Sequence, residues 1–242
     1  MKIVAVIPAY NEAATIREVA IRTLRLVPEV IVVNDGSTDA TAAALEGLHV
    51  TVISNPVNYG KGASLWRGFA LALADGADAV ITLDGDAQHA PEDIPRLAEA
   101  ARAHPDRIII GARLWDREKV PPLRYFGNRF ANFWIAWAAG FPVADSQSGF
   151  RLYPASLLKS ISVNPETRFA FESEILIEAG RAGVRSAAVP IAALYPPDAR
   201  PSYYRSTVDT ARIARMIFWK LLSRGFDLPA LVRSLILARR GS

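Results

Sequence analysis

"VITLDGDAQHAPEDI", residues 80 to 94, begins as a run of apolar residues and continues into two aspartates, Asp84 and Asp86, two positions apart. Alternate residues of an extended chain share a face, so the two carboxylates project to the same side. Such a pair is costly unless a cation lies beside it, and carboxylate oxygens suit Mg²⁺ or Mn²⁺. The stretch predicts a strand that ends at a metal site or, taken alone, two aspartates that cap the following helix.

Three further runs rich in valine and isoleucine precede this one. They are KIVAVIP (2 to 8), VIVVND (30 to 35) and VTVIS (50 to 54). The segments between them have apolar residues at helical spacing. Strands that alternate with helices form parallel units, and continuously apolar strands are covered on both faces. We therefore predict a doubly wound α/β domain with a mostly parallel sheet flanked by helices.

Polar clusters follow each of these four strands, namely AYNE, NDGSTD, NPVNYGKG and DGDAQH. In such sheets, ligands bind outside the carboxyl ends of the strands. NDGSTD is either a turn with a helix cap or places Asp35 against the edge of a nucleotide base. NPVNYGKG precedes a helix whose amides and Lys61 would face an anion. The spacings of a P-loop and of a dinucleotide fingerprint are missing, which argues against ordinary ATPases and dehydrogenases.

The second half of the chain has a different pattern. RIIIGAR (107 to 113) predicts a strand, and the aromatic-rich residues 123 to 140 predict a helix that either packs in the core or lines a path for an apolar acceptor. Further elements are expected after DSQSGFRLYP. They are a helix at 171 to 183, a strand at 187 to 194, and helices at 204 to 224 and 228 to 240.

The composition is that of a globular domain with a large core, since 51% of the 242 residues are hydrophobic and 21% are charged. The absence of cysteine excludes disulfides and cysteine-ligated zinc. The longest apolar stretch, residues 133 to 144, is shorter than the roughly 20 residues that cross a bilayer. The N-terminus has the pattern of a strand and not of a signal peptide, so a cytoplasmic location is expected.

The C-terminal residues are strongly basic. Residues 200 to 242 contain nine Lys/Arg and two Asp, a net charge of +7, whereas the other residues sum to −3. Leucine and isoleucine are interspersed with Arg233, Arg239 and Arg240. The tail therefore either contacts the inner face of the cytoplasmic membrane or packs on the domain with its arginines in solvent. It lacks an RNA-binding signature, and nucleic acid is not an expected partner.

Nine strings in order resemble the inverting family 2 glycosyltransferases with the GT-A fold. The resemblance is closest to the branch of dolichol-phosphate mannose synthases and bacterial polyprenyl-phosphate glycosyltransferases. The strings are VIPAYNEAATI, VIVVNDGSTDAT, NYGKGAS, ITLDGDAQHAPEDI, IIIGAR, GNRFANFW, DSQSGFRLYP, FAFESEILIEAGRAG and VPIAALY. The resemblance implies a GT-A glycosyltransferase domain at 1–203 and leaves 204–242 as basic amphipathic helices.

The resemblance implies a site for a UDP- or GDP-sugar with Mg²⁺ or Mn²⁺. The implied donor-side residues are Pro8, Tyr10 and Glu12 in the nucleoside pocket, Asp35 on the base, Lys61 close by, Asp84 as the ribose and metal-side acid, Asp86 as the principal metal ligand and Gln88 as the third ligand. His89 follows this motif and is expected to support it or to join the ligands.

On the acceptor side, the resemblance implies that Arg113, Arg129 and Ser148 grip the phosphate of the donor or acceptor. Arg200 matches a basic loop only loosely. Asp145 lies where relatives with hydroxyl acceptors place a base, or else caps a turn. Glu172 and Glu174 are expected either in the acceptor region or as caps of a helix start.

Three departures from the family pattern affect these expectations. Asn34 stands where a second aspartate is frequent, and Ala87 replaces glycine or a bulkier residue. RPSYYR, residues 200 to 205, replaces the usual basic acceptor pattern. The last of these weakens the expected contacts to the acceptor.

The expected reaction is displacement at the anomeric carbon with a nucleoside diphosphate leaving, assisted by a divalent ion. A lipid phosphate is already ionised near neutral pH, whereas a hydroxyl acceptor needs a carboxylate base. A polyprenyl phosphate, a glycolipid and a soluble hydroxyl acceptor all remain open. A sugar nucleotidyltransferase is less favoured, because IPAYNEAAT has no Gly-rich basic loop. A non-catalytic nucleotide-sugar binder is also less favoured, because Asp84, Asp86 and Gln88 are all present.

Overall fold

The computed structural model describes residues 1–113, 122–165, 170–192, 194, 206–223, 225, 227, 229, 231 and 232. The strands are β1 (Ile3–Ala9), β2 (Glu29–Asn34), β3 (Thr51–Ser54), β4 (Ala79–Thr82), β5 (Ile108–Arg113), β6 (Arg151–Pro154) and β7 (Ser186–Ile191). The helices are α1 (Ile16–Leu24), α2 (Lys61–Ala74), α3 (Ile94–Ala103), α4 (Pro122–Ala139), α5 (Ala155–Ser160), α6 (Phe171–Arg181) and α7 (Ser206–Leu222). The expected strands and the helices near 123 to 140, 171 to 183 and 204 to 224 are confirmed. The helix expected at 228 to 240 falls mostly outside the described residues, and Arg200 lies outside them.

The strands form one sheet in the order β3-β2-β1-β4-β6-β5-β7. All neighbouring pairs are parallel except those of β6, which runs antiparallel to both β4 and β5. The predicted doubly wound, mostly parallel sheet is therefore confirmed. Because the parallel strands end at the same edge, the polar loops that follow β1, β2 and β4 lie along that edge.

The apolar strands are covered on both faces, as their composition predicts. In β1, Val4 and Val6 belong to one buried cluster, whereas Ala5 and Ile7 belong to another. The first cluster includes buried residues of α2, α4, α6 and α7, and the second includes those of α1 and α3. Each large side chain buried in this way contributes roughly 1.5–3 kcal/mol to folding. The sheet is thereby held rigidly beneath the loops at its carboxyl edge.

Strand β6 is not among the predicted strands. Its sequence, RLYP, contains an arginine and a proline and lacks the valine and isoleucine that mark the other strands. The pairing that creates it is non-local, with Tyr153 opposite Val80 and Arg151 opposite Thr82. Because β6 is antiparallel, its first residue lies beside the carboxyl end of β4. The loop before β6, residues 145–149, is thereby brought to the edge that carries the polar clusters.

Helix α7 packs against the rest of the domain. Its residues Ile213, Ile217 and Leu221 are buried in the same cluster as α4 and α6. Lys220 Nζ lies 2.9 Å from Glu174 Oε1 and 2.5 Å from Glu178 Oε1, which ties α7 to α6. The division of the chain at 203/204 stays a prediction. No helix in the described ranges is both long and apolar enough to cross a membrane.

Candidate active site

The loops after β1 and β2 hold each other through hydrogen bonds. The Asn11 N–H donates to Ser37 Oγ at 2.9 Å, and the Thr38 N–H donates to Asn11 Oδ1 at 2.8 Å. The Glu12 N–H donates to Thr41 Oγ1 at 2.8 Å. Asn11 has φ of 54°, a left-handed conformation that asparagine tolerates better than most residues. These contacts place Tyr10 and Glu12 beside the end of β2, as expected for one pocket.

Asp35 is almost fully buried and organises the loop between β3 and α2. Its Oδ1 accepts from Asn55 Nδ2 at 2.7 Å and from the Tyr59 N–H at 3.0 Å, and its Oδ2 accepts from the Gly60 N–H at 2.7 Å. The next residue, Gly36, has φ of +68°, and a Cβ there would lie 2.5 Å from the Val57 carbonyl carbon. Asp35 therefore holds this loop in place, while its expected contact with a base stays a prediction.

Lys61, Asp84 and Glu172 form an ionic cluster between α2, the end of β4 and the start of α6. Lys61 Nζ lies 2.6 Å from Asp84 Oδ1 and 3.1 Å from Glu172 Oε2. Burial alone would lower the pKa of Lys61, but the charges of Asp84 and Glu172 outweigh it and raise that pKa above its usual value. Burial likewise opposes ionisation of Asp84, and Lys61 outweighs it, so the pKa of Asp84 is lowered. Lys61 and Asp84 are therefore both charged at neutral pH.

The turn that carries Asp84 and Asp86 is fixed by its neighbours. Thr15 Oγ1 donates to the Gly85 carbonyl at 2.6 Å, and the Gln88 N–H donates to Asp86 Oδ1 at 3.1 Å. The Leu194 N–H donates to the Gln88 carbonyl at 3.3 Å, which joins the turn to the segment after β7. Ala87 has φ of 60°, a left-handed conformation that glycine adopts without strain and that other residues adopt less easily.

His89 is buried behind the same turn. Its ring packs on Phe150 with centroids 5.5 Å apart, and its Nδ1 lies 4.0 Å from Asp84 Oδ2. Burial lowers the pKa of His89 to about 4, so the ring is neutral at pH 7. Its buried Nδ1 has no hydrogen-bond partner among the described residues. The contacts agree with His89 as a support behind Asp84.

Asp145 and Arg113 form a two-pronged ion pair at the end of β5. Arg113 Nε donates to Asp145 Oδ2 at 2.8 Å and Nη2 donates to Oδ1 at 3.0 Å, while the Gln147 N–H also donates to Oδ1 at 3.0 Å. The carboxyl is 1% exposed. Burial would raise the pKa of Asp145, but the hydrogen bonds and charge of Arg113 outweigh it and lower the pKa. Both carboxylate oxygens are thus occupied, which makes Asp145 a weak proton acceptor.

Arg151 is fully buried and organises the loop before β6. Its guanidinium donates to the carbonyls of Ser148, Glu172 and Ser146, at 2.7, 2.7 and 2.8 Å. Ser148 is also fully buried, and its Oγ accepts from the Phe150 N–H at 3.3 Å. The sequence analysis missed Arg151, although an arginine between apolar residues in FRLY is a signal that it is buried and hydrogen-bonded.

Helix α4 contacts the same loop. Asn132 Oδ1 accepts from the Ser146 N–H at 2.8 Å and from Ser146 Oγ at 2.6 Å, and Asn132 Nδ2 donates to the Ala144 carbonyl at 2.9 Å. Arg129 precedes Asn132 by three residues, so it lies on the same side of α4 and is half-buried there. This arrangement brings Arg129 toward the loop that holds Asp145 and Ser148.

Comparison with known proteins identifies the family. The model described as Glycosyl transferase family 2 matches residues 4–176. The chain belongs to glycosyl transferase family 2. This glycosyltransferase is 30% identical over 208 residues to an undecaprenyl-phosphate mannosyltransferase of Micrococcus luteus. The alignment covers 79% of this chain and 83% of the relative. The chain is 29% identical over 240 residues to a UDP-N-acetylglucosamine–dolichyl-phosphate N-acetylglucosaminyltransferase of Methanococcus voltae, which covers 90% and 93%.

Solved structures agree with the fold of this glycosyltransferase. Glucosyl-3-phosphoglycerate synthase from Mycobacterium tuberculosis, in complex with Mg²⁺ and uridine diphosphate, matches with a TM-score of 0.64 at 26% identity. The match covers 92% of this chain and 79% of that one. The predicted GT-A fold, the glycosyltransferase activity and the resemblance to the lipid-phosphate branch are confirmed.

The glycosyltransferase has oxygen donors that fit a divalent ion. Asp84, Asp86 and the amide of Gln88 lie on a single turn and would supply hard oxygen ligands, which stays a prediction. The described residues contain no group of three or more histidine, aspartate or glutamate side chains that would hold a metal by themselves. The remaining ligands would therefore come from a bound diphosphate and water, as is usual for Mg²⁺ in nucleotide sites. In the structure, the cation beside Asp84 is the ammonium of Lys61, whose Nζ lies 2.6 Å from Asp84 Oδ1.

The structure brings most of the predicted site residues of the glycosyltransferase to one edge of the sheet. The carbonyl of Pro8 lies close to the turn that carries Asp84 and Asp86, since a Cβ on Gly85 would be 3.5 Å from the Pro8 carbonyl oxygen. The individual roles of the predicted residues stay predictions. Two residues at the start of β6 and just before it are not among those predicted from the sequence. Arg151 binds backbone carbonyls through its guanidinium, and Gly149 lies close to the carboxylate of Asp84.

Proposed function

We propose that this glycosyltransferase transfers a sugar, with inversion, from a nucleoside diphosphate sugar to a lipid phosphate at a membrane surface. The observation that carries this proposal is the engagement of both Asp145 oxygens by Arg113. A hydroxyl acceptor has to lose a proton to a base, and a carboxylate whose pKa is lowered by an ion pair removes protons poorly. A phosphate monoester arrives ionised and needs no base.

On the donor side, Asp86, Asp84 and Gln88 would hold Mg²⁺ or Mn²⁺. The ion, when bound, neutralises charge that develops on the leaving diphosphate. Tyr10, Glu12 and Asp35 would contact the nucleoside, and the hydrogen bonds that hold their loops would orient the donor without further rearrangement. Solved relatives that contain UDP with Mn²⁺ or Mg²⁺ support this assignment.

On the acceptor side, Arg113 and Arg129 would bind the acceptor phosphate. Asp145 fixes the guanidinium plane of Arg113, and Asn132 fixes α4 against the loop at 144–146. Arginine suits this role because its fork of N–H donors matches phosphate oxygens. The two cations would hold the phosphate oxygen in line with the anomeric carbon. The names of the M. luteus and M. voltae relatives support a polyprenyl-type phosphate as the acceptor.

An apolar groove between α4 and α7 supports a lipid acceptor. Its volume is about 500 Å³. The lining residues are Phe130, Ala131, Trp134, Trp137, Ile213, Ala214, Ile217, Phe218 and Leu221. The aromatic residues recur at intervals of three and four along α4, on a stripe next to that of Arg129 and Asn132. We propose that the isoprenoid chain lies in this groove while its phosphate contacts Arg129.

The exposed surface around the groove supports location at a membrane. Phe130 is 66% exposed, Phe218 is 52% exposed and Trp219 is 60% exposed. Arg212 and Arg215, on the same helix α7, are also exposed. Aromatic residues beside cationic ones favour the interface of an anionic bilayer.

The direct test is transfer by the purified protein with Mn²⁺ and radiolabelled UDP- and GDP-sugars. Undecaprenyl phosphate in detergent and 3-phosphoglycerate serve as competing acceptors. We expect label to enter the lipid phosphate, and Asp86→Asn to abolish this transfer. Label that enters only the soluble hydroxyl acceptor would contradict the proposal.

The groove is tested with the exposed residues Phe130 and Phe218, whose truncation leaves the core intact. Phe130→Ser and Phe218→Ser should raise KM for undecaprenyl phosphate but leave KM for the donor and for a short, water-soluble isoprenyl phosphate unchanged. Trp219→Ser is the matched control, because Trp219 is equally exposed on α7 but does not line the groove. Equal KM effects on short and long acceptors would contradict the groove as the chain site.

A further inference from the structure

Lys61 holds a position that a metal ion would share. Its ammonium reaches from the first turn of α2 across to the end of β4, and its side chain is only 17% exposed. At 2.6 Å from Asp84 Oδ1, it makes the shortest kind of ion pair with a carboxylate that the proposed function assigns to the metal. Without a divalent ion, Lys61 therefore supplies the positive charge that stabilises Asp84.

We propose that Lys61 is the counter-cation of Asp84 when no divalent ion is bound. When the ion binds, Asp84 exchanges Lys61 for it, and Lys61 stays paired with Glu172. This inference rests on the proposed function, since it takes Asp84 and Asp86 as the metal-side acids. An ammonium in direct contact with Asp84 repels a second cation, and this repulsion is strong where solvent is limited. Binding of the ion therefore requires Lys61 to withdraw from Asp84.

Glu172 provides the place to which Lys61 withdraws. Its Oε2 already lies 3.1 Å from Lys61 Nζ. Its Oε1 is buried and has no hydrogen-bond partner among the described residues, so it can accept a second bond from the ammonium. The Glu172 carbonyl is held by Arg151 Nη1 at 2.7 Å, which fixes this end of α6. Glu172 is therefore a positioning residue that controls how strongly Lys61 competes for Asp84.

Gly149 limits the directions that Lys61 can take. A Cβ built on Gly149 would lie 2.8 Å from Lys61 Nζ and 2.7 Å from Asp84 Oδ2. The main chain of the loop before β6 thus closes one side of the ion pair. When Asp84 turns to the metal, Lys61 keeps its contact with Glu172.

A second lysine offers a matched control. Lys220 also bridges two carboxylates, Glu174 and Glu178, which lie on the same helix as Glu172. Its side chain is 19% exposed, close to the 17% of Lys61. Lys220 joins α7 to α6 and has no assigned role in the metal site. Removal of either lysine takes away a partly buried cation with two partners, but only Lys61 contacts Asp84.

The test is titration of the full chain with Mn²⁺ alone, without nucleotide. Binding is measured by calorimetry and by the paramagnetic resonance signal of unbound Mn²⁺. Lys61→Met should tighten Mn²⁺ binding by about tenfold, the size expected for one close charge contact. Lys220→Met should leave the affinity unchanged. An affinity in Lys61→Met that is equal to or weaker than that of the parent protein would overturn the inference.

A double-mutant cycle tests the part played by Glu172. Glu172→Gln should weaken Mn²⁺ binding by roughly fivefold, since Lys61 then pairs with Asp84 alone. In the Lys61→Met background, the same change should have a much smaller effect. Equal weakening in both backgrounds would mean that Glu172 acts only through its general negative charge, which would overturn the exchange. Thermal denaturation checks that each variant is folded. If a Glu172 variant fails to fold, the comparison of Lys61→Met with Lys220→Met still tests the inference.

Asp86→Asn separates this inference from the proposed function. If Asp86→Asn binds Mn²⁺ as the parent protein does, the metal site itself is wrong and the inference falls with it. If Asp86→Asn loses Mn²⁺ while Lys61→Met shows no gain, the metal site stands and only the counter-cation is refuted.

Discussion

The main chain at Gly149 lies directly against the carboxylate of Asp84, because a Cβ at Gly149 would be 2.7 Å from Asp84 Oδ2. Thr82 Oγ1 donates to the Gly149 carbonyl at 2.8 Å and so holds the glycine in this position. A side chain cannot be added without displacing Asp84 or Lys61. The glycine in the SGFR string therefore serves the acidic site on β4, although it lies far from that site in the sequence.

We predict that Gly149→Ala reduces the transfer activity by more than tenfold and weakens Mn²⁺ binding, since Asp84 has to move. The measurement is activity together with an Mn²⁺ titration. Gly183→Ala is the control. Gly183 has φ of +77°, and a Cβ at this position would meet nothing within 4 Å. The substitution should cost about 1 kcal/mol of stability through backbone strain and leave activity unchanged. Full activity in Gly149→Ala would contradict the close approach.

Asp145 is expected to orient Arg113 and not to remove a proton. Asp145→Asn should lower kcat by roughly tenfold to a hundredfold, as for other groups that orient a catalytic side chain. The shape of the pH–rate profile between about pH 6 and 8 should stay the same, because Asp145 is already ionised throughout that range. The measurement is kcat against pH for both proteins. Loss in the variant of an acid limb, in which the parent rate falls as a carboxylate is protonated, would show that Asp145 acts as a base.

The same ion pair should contribute to stability in a pH-dependent way. The pKa of Asp145 is lowered in the folded protein from a usual value of 3.8. As the pH falls below that value, the unfolded chain takes up a proton that the folded protein still excludes, so stability is lost. Above it, the contribution is fully present. Urea denaturation at about pH 3 and about pH 7 should show a smaller acid loss in Asp145→Asn than in the parent protein. Identical acid losses would contradict the pairing.

Arg151 is predicted to be a major source of stability for the loop before β6. Arg151→Met removes donors to the carbonyls of Ser146, Ser148 and Glu172, and should cost about 3 kcal/mol in the free energy of unfolding. Urea denaturation at neutral pH measures this. Arg96→Met is the control, because the Arg96 side chain is 53% exposed in its ion pair with Asp93. That change should have an effect of less than about 0.5 kcal/mol. A small effect at Arg151 would contradict its role.

Much of the donor half of the site follows from local sequence patterns. Residues of β1, β2 and β4 are apolar on both faces, which requires a covered parallel sheet, and the polar loops then fall at one edge. The placement of Asp84, Asp86 and Asp35 at this edge was predictable for that reason. Their hydrogen-bond partners were not predictable, since the contact of Asp35 with the Gly60 N–H depends on the path of a loop.

The acceptor half depended more strongly on tertiary structure. Nothing in the residues RLYP distinguishes an antiparallel strand from a loop, because strand pairing is decided by distant partners such as Val80. The pairing of Asp145 with Arg113 joins residues 32 positions apart, so no local pattern indicates that both oxygens of Asp145 are engaged.

Apolar runs that alternate with helical segments, polar strand ends and the motif at 84–88 are local properties. They were sufficient to indicate the α/β sheet, the edge at which the polar loops lie and the resemblance to glycosyltransferases. The direction of β6, the position of Gly149 against Asp84 and the sharing of Lys61 with Glu172 arise only when the chain is packed. They depend on contacts between segments that are remote in the chain, whose cost in chain entropy and gain in burial no local pattern records.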